Sequence, residues 1–375
     1  MDGAHEKTLA ELAAKGRLRA LTHTSGRDFT SNDYLALADS PALRDAVAAA
    51  LARGVPVGAG GSRLLRGNHP EHEMLEEEAA SFFGSETSLY FPTGFAANAA
   101  IAATLPRRED LIIHDALIHA SFRDGLDPGR INAVEVPHND VGAIADAITA
   151  WRFAGGRGKI WIAVETLYSM DGDRAPLADL KALAARRDAM LILDEAHATG
   201  VYGPQGRGLA AEFEGAPNII SLHTCGKALG VMGALVTLPR VLRDFMVNRA
   251  RGFIYSTAPS PLMAAATRAA LAIAAGAEQE RAQLQALVRQ TAALMKTRLG
   301  LAASGSQIQP IIVGTDARAV ALAAAMQARG YDIRAIRPPT VPEGTARLRI
   351  ALSLHADSAV LEALFADLAA EMEKA

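Results

Sequence analysis

Two adjacent runs in the sequence set an acid, a base and an amine just past apolar stretches. MLILDEAHATG holds an apolar run that ends at Asp194, with His197 three residues later. NIISLHTCGKALG ends its own apolar run at Thr224, ahead of Gly226 and Lys227. In an open parallel sheet such positions are strand carboxyl ends, where ligands bind. A lysine amine able to form an imine, near an anion that keeps a pyridine nitrogen protonated, is what pyridoxal phosphate requires. Burial and nearby positive charge help that lysine lose its proton. Gly226 reads as the residue that lets the chain turn tightly beside the cofactor. Taken singly, Asp194 also reads as a turn cap and Lys227 as a solvated side chain. Their placement at neighbouring strand ends favours the cofactor.

Other runs supply the rest of such a site. In YFPTGFAANAA a strand ends at Pro92 and Gly94 opens a helix. Helix N-termini hold anions through free N–H groups, so Thr93, Gly94 and Phe95 are candidates for the phosphate, with Thr224 adding a hydroxyl. Thr93 also suits a plain helix cap. In LIIHDALIHASFRDG, His119 follows a strand at a helix start, where an imidazole can stack on the cofactor ring. The glycine-rich GVPVGAGGSRLLRG lacks the GK[ST] ending of a P-loop, and Arg63 stands where a dinucleotide-binding motif needs its last glycine. HPEHE at 69–73 is not followed by a zinc-binding helix pattern. It reads as a polar helix start, with Glu71 and Glu73 at the positive dipole end, and no metal is expected.

The elements that must position these residues follow from apolar patterning. Strands are expected at Ser88–Phe91, Leu111–His114, Ala133–Val136, Ile160–Glu165, Met190–Asp194, Ile219–His223 and Ala234–Leu238. Helices are expected near Phe95–Thr104, His119–Leu126, Val141–Ala150 and Pro176–Arg187. Short apolar strands alternating with helices predict an α/β fold with a mostly parallel sheet covered on both faces. After Asn248 the pattern changes. A long helical stretch runs from Pro261 to about Leu299, followed by strands at Gln309–Val313, Asp332–Ile336 and Arg347–Leu352 and a last helix from Ala356. That describes a smaller α+β domain. The expected division is an N-terminal helical segment at 1–31, a large domain at 32–247 and a small domain at 248–375. Leu9, Leu12 and Ala13 mark an amphipathic helix near the start.

Composition excludes several classes. The 375 residues are 50% hydrophobic and carry a net charge of −3, from 38 basic and 41 acidic residues. No basic excess exists to grip nucleic acid or an anionic membrane. One cysteine, Cys225, rules out an internal disulfide and fits a reducing compartment. The first residues are charged where a signal peptide is apolar, and the Ala-rich run 262–275 carries Arg268. A cytoplasmic enzyme is expected.

With these motifs on the page, the chain resembles the α-oxoamine synthases, pyridoxal phosphate enzymes of fold-type I (aspartate aminotransferase-like) that condense an amino acid with an acyl thioester. The likeness runs from SNDYLAL at 31–37 to ARLRIAL at 346–352. It includes GAGGSRLLRGNHPEHEMLE, PTGFAAN, HASFRDG, ETLYSMDGD, LDEAHATGVYGPQGRG, GKALG and IYSTAPSP. AIRPPTVPEGTARLRIALS at 335–353 is most similar to the branch that joins L-alanine to a pimeloyl thioester, carried on CoA or on a carrier protein. The RPPTVP run argues against the glycine-using branches, and the retained Lys227, Asp194, His197 and His119 argue against a non-catalytic partner subunit. The resemblance implies that Lys227 is the Schiff-base lysine and proton-transfer base. It implies that Asp194 and His197 meet the pyridine nitrogen and phenolic oxygen, and that His119 stacks on the ring. Glu165 and Ser169 lie near ring and substrate. Asn32 touches substrate, Arg349 binds the amino-acid carboxylate, and Thr340 is a further substrate-binding residue. Arg19 is a candidate for the far carboxylate of that chain. Ser256 and Thr257 reach the phosphate of a neighbouring subunit, implying a homodimer with shared sites. Departures are Cys225 where an aromatic residue is common, DEAHATG for DEAHGTG, and Thr93 for serine. Cys225 beside Lys227 is an expected oxidation-sensitive position.

Overall fold

The computed structural model describes residues 3–23, 25–127, 129 and 131–374. The chain divides into two compact units. The larger comprises Leu35–Ser169 and Arg174–Arg281, and the smaller Met1–Tyr34, Met170–Asp173 and Ala282–Ala375.

The larger unit is built on a seven-stranded sheet. Its strands are β1 Thr87–Phe91, β2 Leu111–Asp115, β3 Asn132–Val136, β4 Ile160–Glu165, β5 Ala189–Asp194, β6 Ile219–Thr224 and β7 Ala234–Leu238. Each starts and ends within one residue of its sequence-based span. Their spatial order is β1-β7-β6-β5-β4-β2-β3. β6, β5, β4, β2 and β3 are parallel, and β7 runs antiparallel to both its neighbours. Along β4, Trp161 and Ala163 pack with Ile192 and with Ala97 and Ile101 of the helix Gly94–Thr104. The alternate residues Ile160, Ile162 and Val164 pack with Leu191 and Leu193 and with helices Val141–Phe153 and Leu177–Arg187. Helices therefore cover both faces, which is why the strands read as unbroken apolar runs.

The expected boundary at 247/248 falls inside this unit. Helix Pro261–Gly276 packs on helices Pro41–Ala52 and Pro70–Phe83, its Ala266 and Ala270 sharing a core with Leu75 and Phe83. The single helix expected over 261–299 is broken at Ala277, and a second helix starts at Glu278. Arg281 donates to the carbonyls of Ala274 and Ala275 at the end of the first helix, where carbonyls lack their usual i+4 donors. Glu278 and Glu280 favour a new N-terminus there through the helix dipole. HPEHE opens a helix as expected: His69 caps it, Pro70 follows, and buried Glu71 pairs with Arg268 at 2.6 Å. In the glycine-rich run, Arg63 forms a two-bond pair with Glu76 at 2.8 and 3.2 Å, a structural role.

The smaller unit holds an antiparallel sheet in the order Ala335–Ile336, Ala346–Ala351, Ile308–Gly314. Helices Asp316–Ala328 and Ser358–Met372 pack against each other, and the first also packs on the sheet. The strand expected over 332–336 is divided. Tyr331–Asp332 pairs in parallel with Arg27–Asp28, while Ala335–Ile336 joins the main sheet. That pairing ties residues 27–28 into this unit, so they do not stand apart as a 1–31 segment. Helix Gly3–Ala14 forms as expected, but none of its residues is buried. Among the described residues, no helix is long and apolar enough to cross a membrane.

Candidate active site

Three adjoining strands bring the expected residues together. Glu165 ends β4 directly opposite Asp194, which ends β5. Thr224 ends the next strand, β6. Lys227 follows in a tight loop closed by Val231 N–H to the Cys225 carbonyl at 3.0 Å and Gly230 N–H to the Lys227 carbonyl at 2.9 Å. Gly230 is the glycine this loop requires. Its φ is +67°, and a Cβ there would lie 2.4 Å from Ala38 N. Gly226, singled out in the sequence, is not left-handed, and a Cβ on it would make an ordinary 3.6 Å contact. Its predicted turn role is therefore corrected to Gly230.

Asp194 is buried and held at both oxygens. Oδ1 accepts from Ala196 N–H at 2.9 Å, and Oδ2 accepts from Asn98 Nδ2 at 2.7 Å. His197, one turn on, is buried beside it in sequence. Glu165 is also buried. Its Oε2 accepts from Ser169 N–H at 3.0 Å, while Oε1 has no hydrogen-bond partner among the described residues. Burial holds its carboxyl well above the ordinary range, helped by the Asp194 charge and opposed by Lys227 and Ser169. Burial thus favours the protonated form of Glu165, which keeps an unused oxygen in the site.

His119 caps helix Ala120–Asp124. Its Nδ1 meets the fully buried Ser121, at 3.2 Å from the backbone N–H and 2.7 Å from Oγ, while the residue as a whole is exposed. Desolvation lowers its proton affinity, the charge of Asp194 opposes that, and Lys227 lowers it further. The ring is therefore mainly neutral near pH 7. The same interaction ties His119 electrostatically to both Asp194 and Lys227.

Thr93 caps helix Gly94–Thr104 by accepting from Ala96 N–H at 3.1 Å. The plain capping role is thus real, and it leaves other first-turn N–H groups without intrahelical acceptors. A Cβ on Gly94 would fall 2.5 Å from Thr224 Cγ2. Helix start and β6 end are in contact, which puts Thr93, Gly94 and Thr224 in one small cradle with half-exposed Phe95 on its rim. Cys225 is fully buried beneath this loop, and burial pushes its thiol well above the ordinary range. It is an inert core thiol and not an oxidation-sensitive one.

Within the smaller unit, Arg349 Nη2 donates to Asn32 Oδ1 at 3.0 Å, and Tyr34 Oη donates to the same oxygen at 3.0 Å. Arg347, two residues earlier on the strand, is instead bound to Asp171 at 2.6 Å. Arg19 Nη2 donates to Thr340 Oγ1 at 3.2 Å, so two of the expected substrate-binding residues meet. Ser256 and Thr257 lie just past helix Arg251–Ile254, with the Ser256 hydroxyl donating to the Thr257 carbonyl at 3.3 Å. The residues that sequence reasoning missed are Asn98 and Ser121. Both sit inside quoted motifs, PTGFAAN and HASFRDG. Their signal was a polar side chain on an otherwise small or apolar helix face. A cavity of about 1020 Å³ opens at the other, amino ends of the parallel strands, between Leu105, Trp161, Met190 and Leu242. None of the expected residues lines it.

The strand-end set fits pyridoxal phosphate on three counts. Glu165 leaves a buried oxygen unsatisfied, Gly94 and Thr224 form a cradle that a Cβ would fill, and a fixed carboxylate lies near the lysine and the exposed imidazole. Comparisons with known proteins agree. The family model of aminotransferase class I and II matches residues 25–366. The 8-amino-7-oxononanoate synthase of Anaeromyxobacter dehalogenans is 42% identical over 378 aligned positions, covering 96% of this chain and 94% of that one. The crystal structure of 8-amino-7-oxononanoate synthase from Francisella tularensis superposes with a TM-score of 0.78 at 26% identity, over 93% of this chain and 98% of that one. A serine palmitoyltransferase from S. paucimobilis, solved with a pyridoxal phosphate adduct, shares the fold with a TM-score of 0.88 at 24% identity, over 99% and 97% of the two chains. This chain belongs to the aminotransferase class I and II family, with the fold-type I architecture.

Proposed function

We propose that this protein joins L-alanine to a pimeloyl thioester with loss of CO₂, giving 8-amino-7-oxononanoate and free thiol. One observation carries the reading. A complete set of lysine, two carboxyl groups and imidazole stands at or just past adjoining strand ends in a chain 42% identical, over 96% of its length, to a protein named for that activity.

Pyridoxal phosphate, when bound, supplies an electron sink for the charge left when a bond to the amino-acid Cα breaks. Lys227 holds it. Asp194, kept in place by Asn98 and Ala196 N–H, is the anion for the pyridine nitrogen. His197 serves the phenolic oxygen, and Glu165 and Ser169 lie near ring and substrate. Thr93, Gly94, Phe95 and Thr224 take the phosphate, and Ser256 and Thr257 complete that site in the partner of a homodimer. Arg349, which Asn32 contacts at 3.0 Å, offers its guanidinium to the alanine carboxylate, the natural fit for a planar fork. Thr340 and Arg19 face the acyl chain and its far carboxylate.

Lys227 Nζ takes the Cα proton of alanine. A bond forms between that Cα and the pimeloyl carbonyl carbon, and the C–S bond breaks with release of thiolate. The bond from Cα to the alanine carboxylate then breaks to give CO₂, and Lys227 returns a proton to Cα. His119, neutral, covers the ring face and excludes water without adding a second positive charge.

Thiol release with alanine, glycine and serine, each against pimeloyl-CoA, acetyl-CoA and succinyl-CoA, tests the reading. The alanine and pimeloyl-CoA pair should dominate, and pimeloyl-carrier protein in place of pimeloyl-CoA identifies the carrier. Lys227→Ala should lose both the visible absorbance of bound cofactor and the product. Preference for glycine, or product from Lys227→Ala, overturns it.

A further inference from the structure

Asn98 lies between two groups that the reaction uses separately. Its Nδ2 is 2.7 Å from Asp194 Oδ2 and 3.1 Å from Ser121 Oγ, and Ser121 Oγ is 2.7 Å from His119 Nδ1. The hydrogen-bond directions along this chain are fixed by chemistry. A carboxylate only accepts, so the amide nitrogen of Asn98, and not its oxygen, faces Asp194. The same nitrogen donates its other hydrogen to Ser121 Oγ. The Ser121 backbone N–H points at His119 Nδ1 from 3.2 Å, and two N–H groups cannot face each other. Nδ1 is therefore the bare, accepting nitrogen. The Ser121 hydroxyl, receiving from Asn98, turns its own hydrogen to Nδ1 as a second donor. His119 is then left as the neutral tautomer with its proton on Nε2.

The geometry points to Asn98 as a positioning residue that sets two groups at once: it fixes the Asp194 carboxylate and, through Ser121, locks His119 as the neutral Nε2–H tautomer. One amide so coordinates the charge offered to the ring nitrogen with the protonation state of the ring's covering face. A cationic imidazole on that face would work against a protonated pyridine nitrogen, and the relay removes that competition. The charged and titratable groups acting on His119 are Asp194 from β5, Lys227 beyond β6 and Asp124 on its own helix. Loss of the relay removes two donors that favour the bare Nδ1, leaving the pull of the two carboxylates opposed only by desolvation and Lys227. Asn98 and Ser121 are both almost wholly buried, so solvent cannot replace either donor.

This inference rests on the proposed cofactor chemistry for its purpose, but its test does not depend on turnover. The cofactor-free protein, labelled with ¹⁵N-histidine, is titrated by NMR, and the His119 signals are assigned by their loss in His119→Gln. In the wild type, Nδ1 should read as unprotonated and Nε2 as protonated through neutral pH. Ser121→Ala and Asn98→Ala should each raise the His119 midpoint by about one pH unit, and Ser121→Thr, which keeps the hydroxyl, should restore it. Asn98→Ala should also weaken pyridoxal phosphate binding by on the order of 10- to 100-fold, the effect of losing one hydrogen bond to a charged group. Ser121→Ala should weaken it far less. Circular dichroism confirms that each variant is folded, and Asn98→Ser serves if Asn98→Ala is not. A mixed tautomer in the wild type, or an unmoved midpoint in both variants, overturns the inference even where the enzyme makes its product. A locked tautomer with no alanine-dependent product upholds the relay and rejects the proposed function.

Discussion

Gly94→Ala tests the phosphate cradle by a single methyl group. Its added Cβ would lie 2.5 Å from Thr224 Cγ2, so one of the two must retreat by about 1 Å to reach ordinary van der Waals contact. Overpacking of this kind costs about 1–3 kcal/mol. Alanine is also a better helix former than glycine by up to ~1 kcal/mol, which offsets part of that cost in the empty protein. Stability without cofactor should therefore fall by about 0–2 kcal/mol. Cofactor binding should not escape, because the atoms forced apart are the ones proposed to close on the phosphate. If the strain is drawn from binding, about 1–3 kcal/mol weakens affinity by roughly 5- to 150-fold. Titration of the cofactor-free protein with pyridoxal phosphate, followed by fluorescence quenching, measures this. Thr224→Ser removes Cγ2 and keeps the hydroxyl that reaches the Ala196 carbonyl at 3.4 Å. Combined with Gly94→Ala, it should bring affinity back to within about threefold of the Thr224→Ser single variant. Wild-type affinity in Gly94→Ala, or no recovery in the double variant, refutes the cradle.

Three further outcomes follow from the same geometry. Arg349→Lys loses the planar fork while keeping the charge, so the KM for L-alanine should rise by on the order of 10-fold or more with a smaller change in kcat; an unchanged KM contradicts the carboxylate role. Glu165→Gln keeps a neutral group of the same shape where burial favours the protonated carboxyl, so activity near pH 7 should stay within a few-fold of wild type while Glu165→Ala falls further; equal losses in the two variants count against a proton-bearing Glu165. Burial pushes Glu195 up to about 8, whereas an unfolded glutamate titrates near ~4.3. The folded chain thus keeps a proton that the unfolded chain releases. Glu195 therefore makes stability fall as pH rises between those values and level off above them. Denaturant unfolding across that window should show a slope that flattens in Glu195→Gln, and an unaltered slope removes Glu195 as the cause.

The large sheet was legible because burial on both faces forces continuous apolar runs, and such runs have sharp ends at Glu165, Asp194 and Thr224. Those ends carry the chemistry, so fold and site were read from the same signal. Helix-rich regions were harder to read. Ala-rich sequence from 261 onward suits one helix or two equally well, and the break at Ala277 depends on Arg281 reaching back to capping distance. The larger unit extends to Arg281 because Ala266 and Ala270 find a core against Leu75 and Phe83, a pairing nearly two hundred residues away that no local window contains. Gly226 drew attention by its position beside the lysine, while the left-handed turn belongs to Gly230. Asn98 and Ser121 were visible as residues but silent as functions. Their roles are set by hydrogen bonds to Asp194 and His119, and only the folded chain brings those partners together.

The central claim is a carbon–carbon condensation of alanine that sheds its carboxylate. It is tested most directly by incubating the protein and pyridoxal phosphate with pimeloyl-CoA and L-alanine labelled with ¹³C at the carboxyl carbon. The account predicts unlabelled 8-amino-7-oxononanoate by mass spectrometry, with the label recovered as ¹³CO₂ in equal amount to the thiol released. Label retained in the product, or thiol released without alanine, contradicts it.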